Sequence, residues 1–202
     1  MENVLSLKID QRIIDESFDY RSYRELIDAL LLENKTTGSN HSESYLEYTR
    51  MNVRRMNRWD KITKLSPEIV KKIKEISEPQ QWLVITEAWC GDAAQTIPYM
   101  VKLASENPLI NISFILRDQY PEIMDAYLTE GARSIPKLIA LDEDLSQEVF
   151  TWGPRPEFLQ QRLRAFKQDP KGISGKEFSK GTHLWYAKDK NRSLERELFE
   201  II

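Results

Sequence analysis

Apolar residues in the first third of the chain recur at intervals of three and four, the period of one face of an α-helix. This spacing predicts one helix over residues 20–33 and a second over residues 42–58, separated by a polar segment of turn-forming residues. Ser66 followed by Pro67 predicts the start of a third helix, which is expected to run to about residue 77. A serine side chain caps free backbone N–H groups, and proline is tolerated in a first turn.

Beyond residue 80 the pattern changes to short apolar runs that are typical of buried strands, alternating with helical segments. Strands are predicted at residues 81–86, 109–116, 137–141 and 148–152, and helices at residues 90–106, 120–128 and 157–168. This order predicts an α/β fold in which helices flank a central mixed sheet.

The pattern weakens after residue 168. Residues 171–180 are charged and contain glycine, which predicts a loop or a mobile segment. Residues 194–202 carry apolar positions on one side and predict a final helix.

Composition narrows the function classes. The 202-residue chain is 41% hydrophobic with a net charge of −3, so a dedicated nucleic-acid binder is not expected. Basic residues do cluster at 50–64, but the apolar residues between them favour the solvated face of a helix. Two histidines and one cysteine offer no compact zinc or iron–sulfur set, so no metal and no other cofactor is expected.

Targeting signals are not apparent either. The first seven residues contain no basic stretch and no apolar core, so no signal peptide is expected, and no apolar run is long enough to predict a membrane span. A single cysteine suits a reducing compartment, so we expect a cytoplasmic protein.

The single cysteine, Cys90, lies between an apolar run at residues 82–85 and a predicted helix. Unpaired backbone N–H groups and the helix dipole at a helix start favour a thiolate, and the thiolate is the species that attacks disulfides. Because the sequence contains no other cysteine, Cys90 cannot form a disulfide within the chain. A lone cysteine can equally be a small buried apolar residue, so both roles stay open here.

Three landmarks resemble the thioredoxin-like superfamily. Trp89-Cys90-Gly91 matches the beginning of that family's Trp-Cys-Gly-Pro-Cys motif. Pro98 lies where the family's helix carries a kinking proline. Residues 131–136 look like the loop that ends in the family's cis-proline, which would be Pro136.

The resemblance covers residues 61–168, which are expected to form the thioredoxin-like domain. Residues 1–60 would then be an N-terminal helical extension, and residues 169–202 a partly helical C-terminal tail. The segments 89–93 and 152–156 also resemble a variant bacterial subgroup described only as thioredoxin family proteins.

The resemblance implies thiol–disulfide exchange in which Cys90 forms a mixed disulfide with a substrate. Since Ala93 takes the place of the second cysteine, an external thiol would have to resolve that intermediate. Protein or low-molecular-weight thiols and disulfides are therefore the implied partners. A cis-Pro136 would present the backbone of Ile135 to an extended substrate. The implied substrate-binding residues are Trp89, Gly91, Asp92, Ile135 and Pro136.

Several positions depart from the family pattern. Val84 stands where the family has a buried acid, and Asp92 replaces the motif proline. The carboxylates of Asp92 and Glu87 would both oppose a thiolate, whereas Arg133 would favour it if turned toward the site. These effects have opposite signs, so the sequence does not predict the direction of the Cys90 pKa.

Three functions follow from these residues, and whether the protein is an enzyme stays open. The leading hypothesis is monothiol thiol–disulfide exchange at Cys90. The alternatives are a binding module that has lost redox turnover and a redox sensor in which Cys90 is oxidised or capped. The helical additions are expected to be where a partner, or a second copy in a homodimer, would dock.

Overall fold

The computed structural model describes residues 9–202, so the beginning of the predicted N-terminal extension, including residues 1–7, where no signal peptide is expected, lies outside the described residues. The helices are α1 (Gln11–Glu16), α2 (Tyr20–Leu32), α3 (Glu43–Ile62), α4 (Pro67–Lys74), α5 (Gly91–Ala104), α6 (Pro121–Ala126), α7 (Glu157–Gln168), α8 (Gly175–Asp189) and α9 (Arg192–Ile201). The strands are β1 (Gln80–Thr86), β2 (Ile110–Leu116), β3 (Lys137–Asp142) and β4 (Glu148–Trp152).

The strands form one mixed sheet in the order β2-β1-β3-β4. β1 pairs in parallel with β2 and antiparallel with β3, and β4 runs antiparallel to β3. Residues 81–86 of β1 are buried, as expected for a central strand with helices on both faces. The α/β fold with a mixed sheet flanked by helices, as predicted from the sequence, is confirmed.

The helical additions belong to the same hydrophobic core as the sheet. Tyr23 of α2 stacks on Phe114 of β2, with 5.5 Å between the ring centroids. Met56 of α3 and Leu194 and Leu198 of α9 are also fully buried in the cluster that contains the strands. The division of the chain at residues 60 and 168 stays a prediction, but all three parts contribute to one core.

Local sequence signals account for several helix starts. The side chain of Ser66 accepts a hydrogen bond from the Ile69 N–H at 3.3 Å, and Pro67 opens α4, as predicted. α5 contains Pro98 and is capped by Cys90. In residues 9–202, no helix is both long and apolar enough to cross a bilayer.

The prediction of a loop at residues 171–180 is wrong from residue 175 onward, because α8 begins at Gly175. Ser174 and Glu177 form a capping box: each side chain accepts a hydrogen bond from the other residue's backbone N–H. This reciprocal cap starts a helix whose charged first turns carry no clear apolar period. Its later turns pack against the segment around Cys90.

Candidate functional site

Cys90 lies where β1 gives way to α5 and is the N-cap residue of that helix. Its sulfur accepts a hydrogen bond from the Ala93 N–H at 3.5 Å, and its thiol donates to the Ile135 carbonyl at 3.2 Å. The peptide bond between Ile135 and Pro136 is cis. The fold therefore brings together the motif cysteine and the proline loop, which are 45 residues apart in the chain.

The thiol is nearly covered: Cys90 is 8% exposed. Burial raises the pKa of Cys90 to about 12, and the nearby charge of Asp92 acts in the same direction. Hydrogen bonds from the Ala93 and Asp92 backbone and the charge of Arg155 favour the thiolate, but burial outweighs them. Cys90 is therefore a protonated thiol at neutral pH in this conformation.

Asp92 links three parts of the chain next to that thiol. One carboxylate oxygen lies 2.8 Å from the guanidinium of Arg155, and the other accepts a hydrogen bond from the Tyr186 hydroxyl at 2.7 Å. Burial raises the pKa of Asp92, whereas Arg155 and Tyr186 lower it. This triad ties the start of α5 to α8 and to the loop before α7.

The two residues expected to tune the site electrostatically do not act alike. Arg133 is not turned toward Cys90, because its guanidinium forms an ion pair with Asp125 at 2.6 Å. Arg155 is the cation that acts on Cys90 instead. Glu87 is fully buried and accepts a hydrogen bond from the Asp118 N–H at 3.0 Å. Burial raises its pKa, which favours its neutral form.

The remaining predicted site residues surround the motif. Trp89 is half-buried between the ring of Tyr45, at a centroid distance of 5.2 Å, and the guanidinium of Arg117, at 4.7 Å. Gly91 lies directly beneath His183: a Cβ at position 91 would be 2.6 Å from the His183 ring. A side chain here would collide with the His183 ring, so glycine permits the close approach of that ring. Val84, in place of the family acid, is fully buried in β1.

His183 belongs to a hydrogen-bonded relay that was not predicted. The indole N–H of Trp59 donates to Gln95 Oε1 at 2.6 Å, which turns the Gln95 amide nitrogen toward His183 Nδ1 at 3.2 Å. An amide nitrogen only donates, so we assign Nδ1 as the acceptor and the ring proton to Nε2. Burial, with the charge of Arg55 adding to it, lowers the pKa of His183 to about 4.

Sequence reasoning missed His183 and Tyr186 because no helix was predicted between residues 168 and 194. Arg55 was missed because the basic residues at 50–64 were assigned to the solvated face of a helix. The Ser174–Glu177 pair three residues apart was the signal that could have revealed the helix start. Tyr186 then lies three turns along, on the side that faces Asp92.

α3 and α8 enclose a cleft of about 620 Å³ beside the motif, here named the α3–α8 cleft. It is lined by residues of both helices: Ser44, Glu47, Tyr48, Met51, Arg55, Gly175, Lys176, Ser179, Lys180, His183 and Leu184. A second cavity of about 230 Å³ shares Tyr48, Arg55, Ser179 and His183 with it and reaches Trp89 and Gly91. Within residues 9–202, no three His, Cys, Asp or Glu side chains are grouped to hold a metal ion.

Comparisons with solved structures extend over almost the whole chain. A protein of unknown function from Pseudomonas aeruginosa is 13% identical, with a TM-score of 0.60 over 96% of both chains. An HIV epitope scaffold is 14% identical, with a TM-score of 0.59 over 96% of this chain and 97% of the scaffold. At these identities the likeness shows the fold alone. No curated protein matches the chain.

A family comparison goes further than the fold. The family model described as Thioredoxin matches residues 38–167, a span that includes α3, the cysteine motif and the cis-proline loop. This match extends over more than half of the 202 residues, so the chain belongs to the thioredoxin family.

Proposed function

We propose that the protein is a thioredoxin-fold monothiol that carries out thiol–disulfide exchange through Cys90. The observation that supports this most directly is the distance of 3.2 Å between the Cys90 sulfur and the Ile135 carbonyl, beside cis-Pro136. A substrate strand that pairs with the backbone of Ile135 would bring its disulfide next to the sulfur.

The exchange proceeds in two balanced steps. The Cys90 thiol loses its proton to solvent, and the thiolate attacks one sulfur of the substrate disulfide; a new S–S bond forms and the other substrate sulfur leaves as a thiolate. An external thiolate then attacks the substrate sulfur that is bonded to Cys90, and a new S–S bond forms between the external thiol and the substrate. Cys90 is released as a thiolate and takes up a proton. Ala93 has no sulfur for the second step, so an external thiol is required.

Burial makes this exchange slow in the conformation described above. Because the pKa of Cys90 is raised to about 12, the thiolate is a minor species at neutral pH. The reaction rate should therefore increase about tenfold for each pH unit up to about pH 11.

Intact-mass spectrometry with bis(2-hydroxyethyl) disulfide tests the proposal. The native protein should gain one mercaptoethanol adduct, at a rate that increases with pH, and added 2-mercaptoethanol should remove it. Cys90→Ser should gain none. If the native protein gains no adduct at about pH 10 while the urea-unfolded protein does, exchange through Cys90 is refuted.

The second candidate is a thioredoxin-fold binding module without redox turnover. The covered sulfur favours it, together with alanine at position 93 and valine at position 84. In that case Cys90→Ser should fold and bind its partners as the wild type does, and the native protein should resist the disulfide.

Location and assembly are further proposals. A reducing cytoplasm would keep Cys90 in its thiol form and would supply low-molecular-weight thiols for its release. A homodimer through the helical additions would appear as a doubled mass in sedimentation equilibrium; a single-chain mass at micromolar concentration would contradict it.

A further inference from the structure

The α3–α8 cleft has the dimensions of a small-molecule site rather than a packing gap. Its volume of about 620 Å³ falls within the range of about 300–1,000 Å³ that is usual for ligand pockets. Three large apolar side chains in its walls stay exposed, with Tyr48 at 41%, Met51 at 39% and Leu184 at 55%. A ligand that covered them would gain the free energy of apolar burial.

Arg55 supplies a half-buried positive charge to the cleft wall. Its guanidinium donates to the side-chain oxygen Oδ1 of Asn52 at 2.7 Å and to the Met51 sulfur at 3.4 Å. In the described part of the chain it has no ion-pair partner; Asp92, whose charge acts on it, is already paired with Arg155. A partly desolvated cation without a carboxylate attracts an anion.

Other groups in the cleft add to the same preference. Lys176 and Lys180 line it from α8, while Glu47 is the one carboxylate among the lining residues that the structure describes. His183 is neutral, and the tautomer assigned above places a ring N–H at Nε2, on the side of the ring opposite Gln95. Cations therefore outnumber anions in the walls, and an N–H donor lies beside Arg55.

We propose that the α3–α8 cleft binds a small organic anion, whose carboxylate pairs with Arg55 and whose apolar part lies against Tyr48, Met51 and Leu184. The site is independent of the sulfur of Cys90, which does not line either cavity. It therefore goes beyond the proposed exchange reaction and does not depend on it.

Titrations of the full-length, ¹⁵N-labelled protein test the proposal. The probes are a panel of aryl and alkyl carboxylates, each matched with its primary amide; N-acetylphenylalanine and N-acetylphenylalaninamide are one such pair. Carboxylates should shift the amide resonances of α3 and α8, and the matched amides should bind at least tenfold more weakly. Loss of one ion pair to Arg55 accounts for a factor of about ten.

Variants assign the binding to the cleft. Arg55→Gln should weaken carboxylate binding at least tenfold, whereas Arg54→Gln removes the same charge from an exposed position of α3 outside the cleft and should leave it unchanged. Leu184→Trp fills the cleft from an exposed position and should also weaken binding if Arg55→Gln fails to fold. Cys90→Ser should bind as the wild type does, which separates this site from the exchange reaction.

Four results would overturn the proposal. The first is that no carboxylate of the panel shifts the amide resonances of α3 or α8, and the second is that the amides bind as tightly as their acids. The third is that carboxylate binding is unchanged in both Arg55→Gln and Leu184→Trp. The fourth is that inorganic phosphate binds as tightly as the best carboxylate. The last result would identify a simple inorganic-anion site with no role for the apolar wall.

Discussion

Burial of Cys90 makes a quantitative prediction about stability at alkaline pH. In the unfolded chain the thiol titrates near its ordinary pKa of 9.0, but in the folded protein burial raises the pKa to about 12. Above pH 9 the unfolded chain releases this proton and the folded protein does not. The unfolded state therefore binds fewer protons, and stability falls as pH rises.

The size of the effect follows from the two pKa values. The contribution of the protonated thiol is fully present below pH 9 and is lost as pH rises toward 12. At about pH 10 the unfolded chain gains about 1.4 kcal/mol from ionising Cys90, and at about pH 7 it gains almost nothing.

Urea denaturation of the wild type and Cys90→Ser, at about pH 7 and about pH 10, measures this contribution. Serine does not titrate in this range, and all other alkaline groups are common to both proteins. The free energy of unfolding of the wild type minus that of the variant should fall by about 1.4 kcal/mol from about pH 7 to about pH 10. A difference that does not change with pH would refute the argument that burial controls this thiol.

Three further predictions concern the groups around the site. Arg155→Met should cost about 3 kcal/mol in urea denaturation, because it leaves the largely buried carboxylate of Asp92 without its cation. Asp92→Leu combined with Arg155→Met should recover much of that loss, and a double variant no more stable than the single one would contradict this account. Gly153→Ala should reduce the free energy of unfolding by about 3 kcal/mol or more, because φ is +119° and a Cβ would lie 2.2 Å from a backbone oxygen. Gly131→Ala is the control: φ is +75° with open space around the residue, so the cost should be about 1 kcal/mol. Equal shifts of the melting temperature for the two variants would disprove the packing argument. Because the pKa of His183 is lowered from 6.5 to about 4, the neutral imidazole contributes stability that is fully present above pH 6.5 and is lost as pH falls toward 4. Relative to His183→Gln, the wild type should lose about 1–2 kcal/mol of unfolding free energy between about pH 7 and about pH 5 in chemical denaturation. Parallel pH profiles for the two proteins would contradict this pKa shift.

Local signals in the sequence were enough to predict most of the elements. The three- and four-residue spacing in α2 and α3, the Ser66-Pro67 start of α4 and the apolar run of β1 each depend on interactions between near neighbours in the chain. The order of these elements, together with the Trp89-Cys90-Gly91 motif, was sufficient to predict the thioredoxin-like fold. α8 was missed because its helix start depends on one polar pair, Ser174 and Glu177, rather than on a repeating apolar pattern.

Charge interactions at the site depended on which side chains the fold brings together. From the sequence, Arg133 was the candidate cation near the motif. In the structure Arg133 pairs with Asp125, eight residues earlier in the chain, while Arg155 reaches Asp92 across the fold. Chain distance could not distinguish these two outcomes, because an ion pair depends on where the backbone places each side chain.

By itself, the sequence determined the four strands, most of the helices, their order and the position of Cys90 at the start of α5, because periodicity and helix capping act over a few residues. Only the tertiary structure decided the state of the thiol. α8 places His183 over Gly91 and Tyr186 on Asp92, and burial within this packing outweighs the helix-start effect and raises the pKa of Cys90. Desolvation depends on everything that surrounds a group, and no local pattern in the chain records it.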